Sequence, residues 1–189
     1  MKTYFSEKEL KYDGTQLRSL FAYMTYEILG DSIVSWIGEC DIPFAHMIDG
    51  EDAVQKSEIR GGKMLHFIVE KFDVNLFSGV LMQRLLASQS IELIKKLSVD
   101  RALTFKLTRS GDDIFLDDKK LSISVATKSP TSTMLHFALN ITNENTPVKT
   151  LSLSDLRVKP ELFAKELMAQ FASEIESVVV ATQKVFACD

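Results

Sequence analysis

At 189 residues, with 46% apolar and 25% charged side chains and a net charge of −4, the chain has the make-up of an ordinary globular domain with a substantial core. That charge argues against a general nucleic-acid binder, which carries a strong basic patch. No apolar run reaches the length of a membrane span, the start MKTYFSEKEL lacks the apolar core of a signal peptide, and Cys40 and Cys188 are too few and too far apart for a disulfide framework or a zinc site. The expectation is one cytoplasmic domain over residues 1–189, with no structural metal, no nucleic-acid or membrane partner, and a homodimer as the assembly to look for.

In chain order, KYDGTQL supplies a turn at Asp13-Gly14 and an N-cap at Thr15. Leu17, Leu20, Phe21, Met24 and Ile28 then recur at helical spacing, which predicts an amphipathic helix over roughly Thr15 to Leu29. IVSWIG reads as a strand and ECDIPFAHMIDGED as a loop. IRGGKMLHFIVEKF reads as a Gly-Gly turn leading into β-prone residues. From Leu76 to Leu97 the period is helical again, with Leu81, Leu85, Leu86, Leu93, Ile94 and Leu97 as anchors. RALTFKLT reads as another strand, feeding through RSGDD into a hairpin from Asp112 to Thr127.

The second arm of that hairpin puts Leu121, Ile123 and Val125 on one face and Lys120, Ser122, Ser124 and Ala126 on the other. TMLHFALNIT alternates likewise, with Leu135, Phe137, Leu139 and Ile141 against Met134, His136, Ala138 and Asn140. If the two runs pair through Ser129-Pro130-Thr131, the faces opposite the core merge into a patch of lysine, hydroxyls, histidine and amide. A solvated antiparallel face uses the same polar residues, while Ala126 and Ala138 suit the floor of a ligand site better than a wet surface. Pro160 opens a last helix along Phe163, Leu167, Phe171, Ile175, Val178 and Val185. The alternation of helices and strands predicts an α+β fold, a sheet covered by helices.

Three segments carry a resemblance. RGGKMLHF is similar to the Arg-Gly-Gly segment ending in histidine of lipoate ligases and octanoyltransferases. DDIFLDDKKL resembles the Asn-Asp, strand, turn and Lys-Leu segment of biotin ligases, and STMLHFALNIT resembles the strand that follows it. YDGTQL, MLHFIVEKF, QRLL and KLSISVATKSPTSTMLHFALNI resemble the hallmarks of an uncharacterised prokaryotic family, domain of unknown function 366, over most of the chain. The resemblance implies the mixed or antiparallel sheet of the biotin/lipoate ligase and class II synthetase fold.

It also implies a small acyl or carboxylate ligand, ATP with Mg2+ as cofactors, and acyl or adenylyl transfer, with Lys120 stabilising negative charge at the acyl centre. Arg60, Gly61 and Gly62 would line the acyl or phosphate side. Asp113, Ser122, Ser124, Thr127, Ser129, His66, His136 and Asn140 would complete the pocket, with Tyr12, Asp13 and Gln16 at its rim. Asp112 stands where biotin ligases have asparagine, the preceding Trp-Pro is absent, and the stretch ENTPVKTLSLSDL after the His136 strand lacks the cysteine of octanoyltransferases. These departures keep a non-catalytic binding module, or a structural oligomer, as alternatives.

Outside that resemblance, Asp41, Asp49, Glu51 and Asp52 are dense enough to hold Mg2+ or Ca2+ if they converge, though loop acids are more often solvated. His66 and His136 sit among apolar neighbours, where a satisfied core histidine is the commoner explanation, and Gln83 and Arg84 are either a polar pair facing the site or surface residues.

Overall fold

The computed structural model describes residues 1–188. In chain order it has β1 (Lys2–Phe5), α1 (Phe21–Tyr26), β2 (Ser32–Ile42), a 3-10 turn at Phe44–His46, α2 (Gly50–Gln55), β3 (Ile59–Phe72), α3 (Leu76–Leu97) and α4 (Arg101–Thr104). There follow β4 (Leu107–Ser110), β5 (Asp113–Leu116), β6 (Lys119–Lys120), β7 (Ser122–Lys128), β8 (Ser132–Asn140) and α5 (Pro160–Thr182). A five-stranded sheet runs β1-β2-β3-β8-β7 with only the β1·β2 pair parallel, and β4-β5-β6 form a small antiparallel sheet beside it. None of the helices among the described residues is long and apolar enough to cross a membrane.

Period-two alternation sorts the two faces of the main sheet. Ile33, Leu65, Phe67, Val69, Leu135, Phe137 and Leu139 point to a core shared with α3 and α5. Val34, Trp36, Met64, Ile68, Met134 and Ala138 point the other way, under a covering segment that carries Tyr12, Leu17, Phe21 and Ala22. Each large apolar side chain buried in these layers contributes roughly 1.5–3 kcal/mol. The helix α3 begins where the Asn75 side chain accepts from Ser78 N at 2.9 Å and ends with Lys95 and Lys96 near its C-terminal carbonyls, so caps and dipole agree with the apolar stripe. Gly79 lets it approach β8, since a Cβ there would lie 2.3 Å from the Thr133 methyl.

Five local expectations are corrected. The helix read over Thr15 to Leu29 is only Phe21–Tyr26, because Leu20 takes a left-handed conformation (φ 62°) and the residues before it are held in turns. Gly61 and Gly62 do not turn the chain but lie inside β3, where Gly62 N donates to Glu144 O at 2.8 Å and a Cβ would press on that carbonyl. RALTFKLT splits into α4, capped by the Asp100 side chain, and β4. The stretch read as a loop extends β2 to Ile42 and then contains α2, capped by Asp49. In α5, Phe163, Leu167, Phe171 and Ile175 are buried, while Val178 is exposed and Val185 lies past the helix end.

The largest correction concerns β7. Its register sets Ile123 opposite Ala138 and Val125 opposite His136, whereas Ser122 and Ser124 stand opposite Leu139 and Phe137. Directly opposed residues share a face, so Ile123 and Val125 join His136, and the serines turn toward α3 and β5. The phase changes at Leu121, which is buried in the helix-side core while its N–H donates to Ile114 O. The serines are needed where they are because each satisfies a buried polar group. Ser122 Oγ accepts from Ile114 N at 2.9 Å, and Ser124 Oγ accepts from Gln83 Nε2 at 2.9 Å and donates to Asp112 at 2.6 Å.

Candidate functional site

Residues from Leu10 to Leu17 cross the sheet as a strap. Leu10 N donates to Ile37 O, Tyr12 N donates to Glu39 O, and Asp41 N donates to Tyr12 O, so the strap pairs with β2 beside its bulge. The indole of Trp36 donates to Leu10 O at 2.8 Å. Gly38 makes this crossing possible, because a Cβ on it would sit 1.9 Å from Leu10 O. The Asp13-Gly14 turn is fastened by Asp13 Oδ1, which accepts from Thr15, and by Gln16, which accepts from Asp13 N and donates to Lys11 O.

The strap lays the Tyr12 ring on His136, with centroids 3.7 Å apart and planes within 10°. His136 in turn reaches His66, Nε2 to Nδ1 at 3.1 Å, and His66 Nε2 lies 3.2 Å from Gly38 O. The carbonyl can only accept, which fixes the tautomers along the row. His66 carries its proton on Nε2, accepts on Nδ1 from His136 Nε2–H, and leaves His136 Nδ1 as a bare acceptor. Burial holds both imidazoles below their ordinary value, His66 at about 4.

Around Tyr12 and His136 lies a cavity of about 250 Å3. Ile123 and Val125 from β7, with Leu17, Ile42 and Ile59, give it apolar surface. Asp49, Glu51 and Asp52 reach it from the cap and first turn of α2, Asp112 from just before β5, Asp113 and Lys120 from the β5–β6 hairpin, Ser124 from β7, and His46 from the 3-10 turn. The Lys120 ammonium lies 2.7 Å from Asp113. Burial pushes the Asp113 carboxyl above the usual carboxylate value; Lys120 pulls against that rise, and the charges of Asp112 and Asp52 add to it.

Of the sequence candidates, the fold brings Tyr12, Asp113, Lys120, Ser124 and His136 to one cavity, with His66 directly behind His136. Arg60 lies outside it, its guanidinium 3.0 Å from Glu58. Gly61 and Gly62 lie farther along β3. Ser122 is spent on Ile114 N, and the Asn140 amide donates to Lys120 O and Leu151 O. Asp13 and Gln16 shape the strap rather than the wall. Thr127 and Ser129 sit at the far end of β7. There Ser129 joins Ser132, whose hydroxyl donates at 2.6 Å to the buried Glu70, the carboxylate that also receives Leu20 N and Ser19 Oγ.

Asp41 pairs with Lys11 at 2.6 Å, away from Asp49, Glu51 and Asp52, and among the described residues no three His, Cys, Asp or Glu side chains converge as a metal site would. Gln83 faces the site, donating to Asp112 at 2.8 Å, and Arg84 is exposed. Cys40 is buried, with its thiol pushed up to about 12, and is not at this cavity. Ile123, Val125, Asp112 and His46 were not named from the sequence as site residues; the register of β7 brings Ile123 and Val125 there, hydrogen bonds from Gln83 and Ser124 hold Asp112, and His46 is held at Asp13 O.

The sheet, its covering helices and a cavity on the strap face define a protein of the biotin/lipoate ligase-like fold. The biotin protein ligase of Aquifex aeolicus in complex with biotin and ATP superimposes with a TM-score of 0.59 over 93% of this chain and 70% of that one, at 7% identity. Protein Ta0514 of T. acidophilum with bound lipoic acid superimposes with a TM-score of 0.54 over 92% of this chain and 85% of its own, at 12% identity. Within that fold, the chain belongs to the family described as domain of unknown function DUF366, whose model matches residues 1–186. It is 32% identical over 185 residues to the protein MJ0805 of Methanocaldococcus jannaschii, covering 94% of this chain and 81% of the relative. A solved protein of unknown function from Pyrococcus horikoshi is also 32% identical and superimposes with a TM-score of 0.90 over 100% of this chain and 99% of its own.

Proposed function

We propose that the protein binds a small organic molecule in the cavity between the strap and the β5–β6 hairpin. The observation that carries this reading is the convergence there of four separate chain segments on a pocket with an apolar side, a buried aromatic stack and a charged rim. At about 250 Å3 it falls below the ~300–1,000 Å3 of drug-sized sites, so the ligand is small. The ligase-like fold supports the reading, since its relatives hold biotin or lipoic acid.

A second reading, acyl or adenylyl transfer with ATP and Mg2+, is favoured by Lys120, whose position in the ligase-like segment is also at the cavity wall. Against it stand five wall carboxylates and the pairing of Lys120 with Asp113. Thermal melting of the wild type, Lys120→Ala and Ile123→Trp against lipoate, biotin, octanoate, ATP with Mg2+ and small amines separates the readings. Stabilisation of the wild type that is lost in Ile123→Trp places binding in the cavity. Release of AMP or pyrophosphate with an acyl acid supports transfer, and a panel without any shift removes the binding reading.

A further inference from the structure

We infer that the cavity selects a small organic cation, an amine, amidine or guanidine on a short apolar body, in preference to a carboxylate or a phosphate. The inference rests on the cavity being a ligand site and concerns what that site recognises.

The wall carries Asp49, Glu51, Asp52, Asp112 and Asp113 against a single lysine. Acids gathered at a rim are often only solvated, but here the lysine and the serine that would welcome an anion are already engaged. Lys120 is held by Asp113 at 2.7 Å, and Ser124 donates to Asp112 at 2.6 Å. Asp52, partly buried, has no ion pair or side-chain hydrogen bond among the described residues. An anion entering this space meets carboxylates first, while an ammonium or amidinium meets acceptors on several sides.

The buried end of the cavity makes the same demand independently. His136 lines the wall while only 1% exposed, and its Nδ1 has no partner among the described residues. The row that ends on Gly38 O fixes this nitrogen as an acceptor. The nitrogen is not wholly enclosed, and an acceptor open to the cavity is matched by an N–H or O–H and repels a carboxylate oxygen. His46, exposed at the mouth, donates from its Nδ1 to Asp13 O at 2.9 Å. Between these polar ends Ile123, Val125 and Ile59 offer surface to a short hydrocarbon or one ring.

Benzamidine, benzamide and benzoate share one body and differ in charge, which makes them suitable probes of the full-length protein by calorimetric titration. Benzamidine is expected to bind, benzamide weakly and benzoate not at all. Raising salt from 50 to 500 mM is expected to weaken benzamidine several-fold. Asp52→Asn is expected to cost about tenfold in affinity, whereas Lys120→Gln, which removes the competing cation, is expected to tighten it; a merely structural effect would not give opposite signs. Each variant is first checked for an unchanged circular-dichroism spectrum. Benzoate, octanoate or ATP binding in place of benzamidine overturns the cation assignment while leaving the cavity as a ligand site. Mg2+ or Ca2+ binding with no response to benzamidine also overturns it, in favour of a metal. If no probe binds, both the assignment and the ligand-site reading fail.

Discussion

Acidification from pH 8 to pH 5 is expected to destabilise the protein through the His66–His136 pair, by an amount that can be worked out for His66. In the folded chain burial holds His66 at about 4, against an ordinary value of 6.5. Between those values the unfolded chain binds a proton that the folded chain refuses, so stability is fully present above pH 6.5 and is lost as pH falls toward 4. With those two values the loss is about 2 kcal/mol at pH 5 and reaches about 3 kcal/mol below pH 4. His136, also lowered by burial, adds in the same direction. Hydrogen bonding reinforces the sign for His66: a proton on its Nδ1 would set it against the N–H of His136.

The assay is urea unfolding of the wild type and His66→Gln at pH 8 and pH 5. Glutamine keeps a donor and an acceptor but does not titrate, so the difference between the two pH dependences isolates His66 from the carboxylates that titrate in both proteins. The expected difference is about 2 kcal/mol. Equal pH dependences in the two proteins would refute the neutral buried relay and, with it, the assignment of His136 Nδ1 as a fixed acceptor.

Three further outcomes follow from other parts of the structure. Gly38→Ala places a methyl within reach of Leu10 O, displaces the carbonyl that receives the Trp36 indole, and is expected to cost roughly 2–3 kcal/mol, read as a drop in Tm of about 5–10 °C. Glu70→Ala strands the hydroxyls of Ser132 and Ser19 and the N–H of Leu20, an expected loss of about 1–3 kcal/mol or more in urea; Glu70→Gln, which keeps an acceptor, is expected to lose less. In thiol titration with a disulfide reagent at pH 8, exposed Cys188 is expected to react at once and Cys40, buried and pushed up to about 12, only on unfolding. Two fast thiols in the native protein would contradict the strap packing over β2.

Much of the fold was legible wherever one periodicity ran long enough to outweigh local irregularity. The Leu76–Leu97 helix, the two faces of β8 and the Pro160 start of α5 all follow from apolar spacing, because burial rewards every third or fourth residue of a helix and every second residue of a strand. The resemblance through RGGKMLHF, DDIFLDDKKL and the His136 strand likewise pointed to the correct fold. Within the candidate site, His136 was readable as a polar residue among apolar neighbours and Ser124 from the alternation of its strand, whereas Lys120, Asp113 and Tyr12 were indicated by the resemblance.

What only the tertiary structure decided was phase and company. A strand's alternation says which residues share a face but not which face meets the helices, and one irregular residue, Leu121, reverses that choice for the whole of β7. The same limit applies to charge. Lys120 read alone is a site for anions, yet its neighbours in space are Asp113 and the acids of α2, which arrive from elsewhere in the chain. The sequence by itself determined the long elements α3, β8 and α5, since these rest on periodic burial. The sign of the cavity depends on side chains from distant segments meeting across a few ångströms, and only the packed chain determines that.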